Sequence, residues 1–176
     1  MFFSVQELEL RKVRFQEDLA AGAVDFSDTG LNQIGALHAE GEAELLSNTL
    51  GEIRVRGNLS VEFDMQCDRC LEPVHYPLTG SFDLFYRPAP KGPLPSEVAI
   101  DAGEAEIGFY DGDGMELTDV LREHILLALP MHLICDENCA GICPQCGQNR
   151  NNGHCECTSE RIDDRWAALR SLRTIQ

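Results

Sequence analysis

Residues 52–66 read EIRVRGNLSVEFDMQ, and apolar and polar residues alternate along the whole stretch. Ile53, Val55, Leu59 and the apolar residues that follow stand on one side, and Gly57 keeps the phase. A period of two is typical of a β-strand that buries one face and exposes the other. The stretch therefore predicts an antiparallel sheet whose inner face covers a core.

The same alternation continues on both sides of this strand. Residues 39–45 alternate small or apolar residues with glutamate, and residues 47–51 (SNTLG) have the composition of a hairpin turn. Residues 76–86 alternate again. Cys67 and Cys70 therefore fall at the tip between two predicted strands.

Further short strands are predicted at Phe2–Leu10 and Ala23–Phe26. Residues 88–116 begin with several prolines and continue with acidic residues, which is typical of an extended, solvated loop. Within this acidic loop, Glu106–Tyr110 has the pattern of a short strand. The loop is also a candidate surface for a basic protein.

Two helices are predicted. Residues 116–129 carry an apolar stripe at helical spacing, and Pro130 ends the helix. A last helix is expected from Asp163 to Arg173, where Asp163 can cap its first turn.

Composition and charge exclude several classes of protein. The chain has 176 residues, of which 43% are apolar and 25% charged, and its net charge is −16. That charge argues against a protein that wraps nucleic acid over its whole surface. The longest apolar run, Ile125–Met131, is too short to span a membrane, and the first residues do not resemble a signal peptide. We therefore expect a cytoplasmic protein.

The cysteines indicate metal binding. Clustered thiols in a reducing compartment favour Zn²⁺, which prefers tetrahedral sets of four thiolates. The eight cysteines of the chain divide into two such sets. We expect Zn²⁺ at one site or at both. The first predicted site is Cys143, Cys146, Cys155 and Cys157, and the second is Cys67, Cys70, Cys135 and Cys139.

Several alternatives remain open for these cysteines. Gly147 suits the left-handed backbone of a Cys-x-x-Cys knuckle, which supports the first site. The second set can instead consist of buried thiols or of a redox pair at Cys67 and Cys70, or it can exchange a member with the first. His154 stands next to Cys155 and can replace a ligand.

Together these patterns predict an α+β fold. It consists mainly of an antiparallel β-sheet or open barrel, with two helices and a C-terminal zinc-knuckle segment. Residues 1–134 would form the β-rich core. Residues 135–176 would form the zinc-binding segment and a helix packed on that core.

No motif indicates an enzyme. The chain has no HExxH, no G-x-G-x-x-G, no phosphate-binding GKS/T loop and no evident nucleophile with a histidine partner. Residues 135–176 are the only segment that is not strongly acidic, with 5 bases against 6 acids. This tail is therefore the candidate contact for RNA or a partner. Its arginines are Arg150, Arg161, Arg165, Arg170 and Arg173.

Four stretches of the chain, in order from about residue 50 to residue 173, resemble the YceD family, also called domain of unknown function 177. They are CDRCLEP (67–73), ILLALP (125–130), the cysteine segment 133–157 and IDDRWAAL (162–169). The resemblance implies a protein linked to 23S rRNA processing or accumulation and to a small ribosomal protein of the large subunit.

Three functions follow as hypotheses. The first is a non-enzymatic assembly factor of the large ribosomal subunit, whose zinc-clipped tail contacts rRNA or a pre-ribosomal particle. The second is an acidic adaptor or chaperone for a basic large-subunit ribosomal protein, without direct RNA contact. The third is a thiol redox protein, which requires a low thiol pKa at Cys67 or Cys70.

Overall fold

The computed structural model describes residues 1–92, 97 and 106–157. The chain divides into two compact units. The large unit comprises Met1–Met65 and Pro73–Leu133, and the small unit comprises Gln66–Glu72 and Ile134–Gln176. The predicted helix Asp163–Arg173 and four of the five tail arginines lie outside the described residues.

Nine elements make up the described chain. In order they are β1 (Phe2–Ser4), α1 (Val5–Leu10), β2 (Val13–Leu19), β3 (Asn32–Leu45), β4 (Ile53–Gln66), β5 (Pro73–Pro88), β6 (Ile107–Tyr110), β7 (Gly114–Glu116) and α2 (Leu117–Ala128). In the described ranges neither helix is long and apolar enough to cross a membrane.

The large unit contains a five-stranded sheet in the order β2-β3-β4-β5-β6. Strands β2, β3 and β4 pair antiparallel, whereas β6 runs parallel to β5. Strands β1 and β7 form a separate antiparallel pair. The predicted α+β class with a mainly antiparallel sheet is confirmed, and the described strands do not close into a barrel.

The sheet is strongly curled. Phe15 on β2 and Phe82 on β5 stack with ring centroids 6.5 Å apart, although β3 and β4 lie between their strands. Three strand spacings in a flat sheet measure about 14 Å, so the inner face must be concave. The apolar stripe of α2 is buried in the same core cluster. Its members are Leu117, Val120, Leu121 and Ile125.

A glycine pair lets two strands approach closely inside this curl. Gly41 on β3 stands opposite Gly57 on β4. A Cβ added to Gly57 would lie 2.2 Å from the carbonyl oxygen of Glu40, and one added to Gly41 would lie 2.8 Å from the ring of Phe15. The two positions therefore admit only glycine, and the Phe15 ring covers the gap that the missing side chains leave.

The central strands and α2 agree with the sequence, whereas the N-terminal prediction was wrong. Only Phe2–Ser4 of the predicted strand Phe2–Leu10 is extended, and Val5–Leu10 is helical. The predicted strand Ala23–Phe26 is a loop. Val24 and Phe26 produced its strand-like pattern because both side chains reach the core from irregular backbone. Strand β2, which was not predicted, lies in the chain between these two predicted segments.

The acidic loop also needs correction. The short strand predicted at Glu106–Tyr110 is confirmed as β6 (Ile107–Tyr110), whereas β7 (Gly114–Glu116) was not predicted, so the C-terminal part of the loop 88–116 belongs to sheets. Residues 93–96 and 98–105 lie outside the described part of the chain.

Candidate metal centre

The loop that joins β4 to β5 forms the first cysteine knuckle. The N–H of Cys67 donates to the carbonyl of Glu72 (2.9 Å), and the N–H of Leu71 donates to the carbonyl of Cys67 (2.9 Å). Leu71 has a left-handed backbone, with φ of 62°. The Cys-x-x-Cys sequence therefore folds into a tight turn at the tip between two strands, as the alternation on both sides predicts.

Cys143–Gly147 forms a second knuckle with the same hydrogen-bond pattern. The N–H of Gly147 donates to the carbonyl of Cys143 (2.8 Å), and the N–H of Cys143 donates to the carbonyl of Gln148 (2.8 Å). Gly147 has φ of 73°, which confirms the left-handed backbone expected there. Leu71 stands in the equivalent position of the first knuckle, where glycine would be the unstrained residue.

The structure brings Cys67, Cys70, Cys135 and Cys139 together, and we call this group the upstream cluster. Its four sulfurs lie within 4.8 Å of one another. The Sγ atoms of Cys67 and Cys139 are 3.9 Å apart, and those of Cys70 and Cys135 are 3.6 Å apart. A disulfide requires about 2.05 Å, whereas tetrahedral thiolates around Zn²⁺ stand about 3.8 Å apart. The spacing thus fits a four-thiolate metal site.

The remaining cysteines, Cys143, Cys146, Cys155 and Cys157, form the C-terminal cluster. Their sulfurs also lie within 4.8 Å of one another. Cys143 is buried, Cys146 is exposed and the other two are half-buried, so solvent reaches this cluster more easily. In the structure neither cluster shares a cysteine with the other, and each contains the four cysteines of one predicted set.

Main-chain amides favour a thiolate in the upstream cluster. Burial of Cys67 would by itself raise its pKa. The N–H groups of Cys135, Cys70 and Arg69 outweigh this effect and lower the pKa of Cys67 to about 6. The crowded thiol of Cys70, in contrast, raises the pKa of Cys135 to about 12.

The C-terminal cluster shows the same division. The amides of Cys146 and Gln145 lower the pKa of Cys143 to about 6, while the thiol of Cys146 raises the pKa of Cys157 to about 12. In each cluster the pKa of one sulfur is thus lowered, while another sulfur holds its proton because it hydrogen-bonds to a neighbouring cysteine and lies close to other thiolates. A divalent cation would remove this difference, because it stabilises all four thiolates at once.

In the described part of the small unit, the buried side chains are these sulfurs. Among its described residues, 66–72 and 134–157, only five are buried, and they are Cys67, Cys70, Cys139, Gly141 and Cys143. None of these residues belongs to the hydrophobic core cluster of the protein. A segment without buried aliphatic or aromatic side chains needs another source of stability, and a metal–thiolate centre supplies it in many small folds.

Arg69 attaches the first knuckle to the distant cysteine segment. Its guanidinium donates to the carbonyls of Glu137 (3.3 Å) and Cys139 (3.1 Å). Its own carbonyl accepts from the N–H of Ile142 (2.9 Å). These bonds bring two segments together that are more than sixty residues apart in the chain.

Two of the other predicted site residues lie in the described region. Arg150 is half-buried, and its N–H donates to the carbonyl of Gly141 (2.8 Å). His154 is exposed and is not a member of either cluster. Together with Arg150, Cys155 and Cys157 it lines a shallow cavity of about 260 Å³. Arg161, Arg165, Arg170 and Arg173 lie outside the described residues.

Sequence reasoning missed two polar residues at this centre. Asn149 donates to a carboxylate oxygen of Glu72 (3.0 Å), and Asn151 donates to the sulfur of Cys139 (3.3 Å). Both lie in the stretch 148–153 (QNRNNG), whose composition is typical of a turn. An asparagine between two cysteine pairs is the only signal that could have drawn attention to them.

The outer face of the sheet carries two kinds of charge. At one end, arginines pair with acids. Arg54, for example, forms a bidentate bond with Asp83 (2.7 and 2.6 Å) that lowers the pKa of that carboxyl. At the other end are Asp18, Glu40, Glu62 and Asp64. Asp18 pairs with His38, and Glu62 and Asp64 pair with His75. This second end, which we call the acidic end, therefore has an excess of negative charge.

Comparison with known proteins places this chain in a family. The model of the large ribosomal RNA subunit accumulation protein YceD matches residues 55–173, a range that contains both clusters. The chain belongs to the YceD family. The Bacillus subtilis protein YlbN is 22% identical over 174 residues, which are 97% of this chain and 93% of that protein.

Other YceD relatives are longer. Protein Rv2926c of Mycobacterium tuberculosis is 30% identical over 120 residues, which are 66% of this chain and 54% of its own length. The chloroplastic YCED homolog 1 of Arabidopsis thaliana, named a large ribosomal RNA subunit accumulation protein, is 24% identical over 146 residues. That match covers 69% of this chain and 44% of the plant protein. No solved structure matches the chain significantly.

Proposed function

We propose that this YceD-family protein is a non-enzymatic factor in biogenesis of the large ribosomal subunit, supporting processing or accumulation of 23S rRNA. The family match carries the proposal, because it covers most of the chain and the plant relatives are named large ribosomal RNA subunit accumulation proteins. The protein would act in the cytoplasm, where thiols stay reduced and free to bind metal.

The small unit is the proposed contact segment, and two Zn²⁺ ions would hold it together. The upstream and C-terminal clusters would each bind one ion through four thiolates, which matches the preference of structural zinc sites. Bound Zn²⁺ would supply a cross-link in place of a hydrophobic core. Arg150, Arg161, Arg165, Arg170 and Arg173 would then provide the positive charge for rRNA or for a pre-ribosomal particle.

Metal analysis and hydrogen–deuterium exchange test the zinc sites. We expect two Zn²⁺ per chain, and one after Cys67→Ser or Cys143→Ser. A free Zn²⁺ concentration a thousandfold above Kd stabilises the folded form by about 4 kcal/mol per site. Chelation should therefore accelerate exchange in residues 66–72 and 134–157 about a thousandfold or more. The large unit is the internal control, because its own core should keep β3 and β4 protected. Unchanged exchange in the small unit would contradict the proposal.

Crosslinking in cells tests the contact itself. Replacing Arg161, Arg165, Arg170 and Arg173 with glutamine should abolish crosslinks to large-subunit rRNA. Replacing Arg11 and Arg14, which are exposed in the large unit, is the matched control and should leave the crosslinks intact. Equal crosslinking of both variants would show that the tail is not the contact.

An acidic adaptor for a basic ribosomal protein is the second candidate. The acidic end of the sheet favours it, because complementary charge accelerates and orients association. This function predicts a binary complex that survives nuclease treatment and dissociates in high salt. Neutralising Glu62 and Asp64 should weaken the complex. Neutralising Asp83, which Arg54 already balances, should have little effect.

A thiol redox function has less support. The pKa of Cys67 is low, as that function requires, but Cys67 is fully buried. Thiol exchange needs an accessible sulfur. Full protection of all eight thiols against alkylation in the metal-loaded protein would exclude the redox function.

A further inference from the structure

The loop Gly147–Gly153 links the two cysteine clusters. In the chain it closes the C-terminal cluster, because it joins Cys146 to Cys155. In space its Asn151 side chain contacts Cys139 of the upstream cluster, and its Asn149 side chain contacts Glu72 of the first knuckle. A change in the conformation of this loop at the C-terminal cluster therefore also changes its contact with Cys139 of the upstream cluster.

Asn151 makes the contact with the upstream cluster itself. Its amide nitrogen donates to the sulfur of Cys139 (3.3 Å), and its amide oxygen accepts from the N–H of Ala140 (2.7 Å). The amide group of Asn151 thus contacts a ligand of the upstream cluster, Cys139, and the residue next to it, Ala140. An N–H that donates to a ligand sulfur stabilises the negative charge that this sulfur carries in a metal site, so the bond from Asn151 favours metal binding at Cys139.

The rest of the loop holds Asn151 in this position. Its N–H donates to the side-chain oxygen of Asn149 (2.9 Å), and the amide of Asn149 donates to Glu72 (3.0 Å). Asn149 also forms a β-bridge with Ile142. The turn that Cys143 makes with Gln148 completes this framework (2.8 Å). An ion in the C-terminal cluster would fix both ends of the loop and reduce the entropy that Asn151 loses on binding.

We propose that Asn151 is a positioning residue that couples the two metal sites. Occupancy of the C-terminal cluster orders the loop, and Asn151 then stabilises the Cys139 thiolate, so the upstream cluster binds its ion more tightly. Because such coupling is reciprocal, an ion in the upstream cluster strengthens binding at the C-terminal cluster by the same factor. This inference rests on the proposed zinc sites, and it adds that the affinity of each site depends on whether the other is occupied.

Competition between the full-length protein and a Zn²⁺ chelator tests the coupling. Loss of a hydrogen-bond partner of a metal ligand typically costs 10–100-fold in metal affinity. We expect Asn151→Ala to weaken the upstream site by this factor. Asn151→Asp should do the same, because a carboxylate can accept from Ala140 but cannot donate to sulfur. The matched control is Asn152→Ala, since the Asn152 side chain is exposed and makes no hydrogen bond in the described chain.

A double-mutant cycle separates coupling from a local effect. In a Cys143→Ser, Cys146→Ser background only the upstream site remains, and Asn151→Ala should then change its affinity less than twofold. Similar losses in both backgrounds would show that Asn151 acts without coupling. Two bound ions with affinities unaffected by Asn151→Ala would overturn the inference and leave the zinc sites standing. A wild-type protein that binds no Zn²⁺ would overturn the zinc sites themselves, and the coupling with them.

Discussion

Replacing Gly57 with alanine should destabilise the large unit severely. The new Cβ would lie 2.2 Å from the carbonyl oxygen of Glu40 and 3.0 Å from the Cα of Gly41. Both atoms belong to the backbone of β3, so no side chain can rotate away. To relieve this clash, β3 and β4 must move about 1 Å apart. That movement costs about 1 kcal/mol for each hydrogen bond between the two strands that it weakens. Disturbed core packing costs a further 1–3 kcal/mol, so we expect a loss of about 3 kcal/mol.

Gly80→Ala is the matched control. Gly80 lies in β5, and a Cβ added there meets nothing within 4 Å. Alanine at this position should be neutral or should stabilise the protein by about 0.5–1 kcal/mol, since glycine loses more chain entropy on folding. Urea unfolding of both variants measures the difference. With a slope of about 2 kcal/mol per M, Gly57→Ala should lower the midpoint by about 1.5 M. Midpoints within about 0.3 M of each other would refute the reasoning.

Three smaller perturbations test other parts of the structure. Leu71→Gly should slow release of Zn²⁺ to a chelator, because it relieves left-handed strain of about 1 kcal/mol, whereas Gly147→Ala should accelerate release. Burial lowers the pKa of His124, so the unfolded chain binds the proton more readily, and the free energy of unfolding should fall as pH drops below about 6.5. Denaturant titrations at several pH values should show a shallower fall in His124→Gln. Tyr86→Phe should cost about 0.5–1.5 kcal/mol in the same assay, because it removes a bond to Glu123.

Local patterns accounted for the features that depend on neighbours in the sequence. The alternation of residues 52–66 marked β4, and the apolar stripe of residues 116–129 marked α2, which runs from Leu117 to Ala128. The spacing of the Cys-x-x-Cys pairs indicated both knuckles. Burial has a period of two residues in a strand and of 3.6 residues in a helix. The spacing of apolar residues in a long element therefore shows whether it is a strand or a helix.

The periodicity of the short N-terminal elements did not identify their secondary structure. Val5–Leu10 spans fewer than two helical turns, and its apolar residues fit either period. Val24 and Phe26 are buried from a loop, so alternation there reflected contact with the core and not backbone conformation. The parallel pairing of β6 with β5 likewise depends on where the chain returns after residue 92.

The sequence by itself determined that this protein has a half-buried antiparallel sheet, a long helix before Pro130 and eight cysteines with the spacing of metal ligands. Only the tertiary structure decided which distant cysteines meet, because the 64 residues between Cys70 and Cys135 leave their approach open. It also decided that Gly41 faces Gly57 and that Asn151 reaches Cys139. These contacts join residues on different segments, and no local preference encodes them. Their cause is the requirement that the whole chain bury its apolar groups and thiols at once.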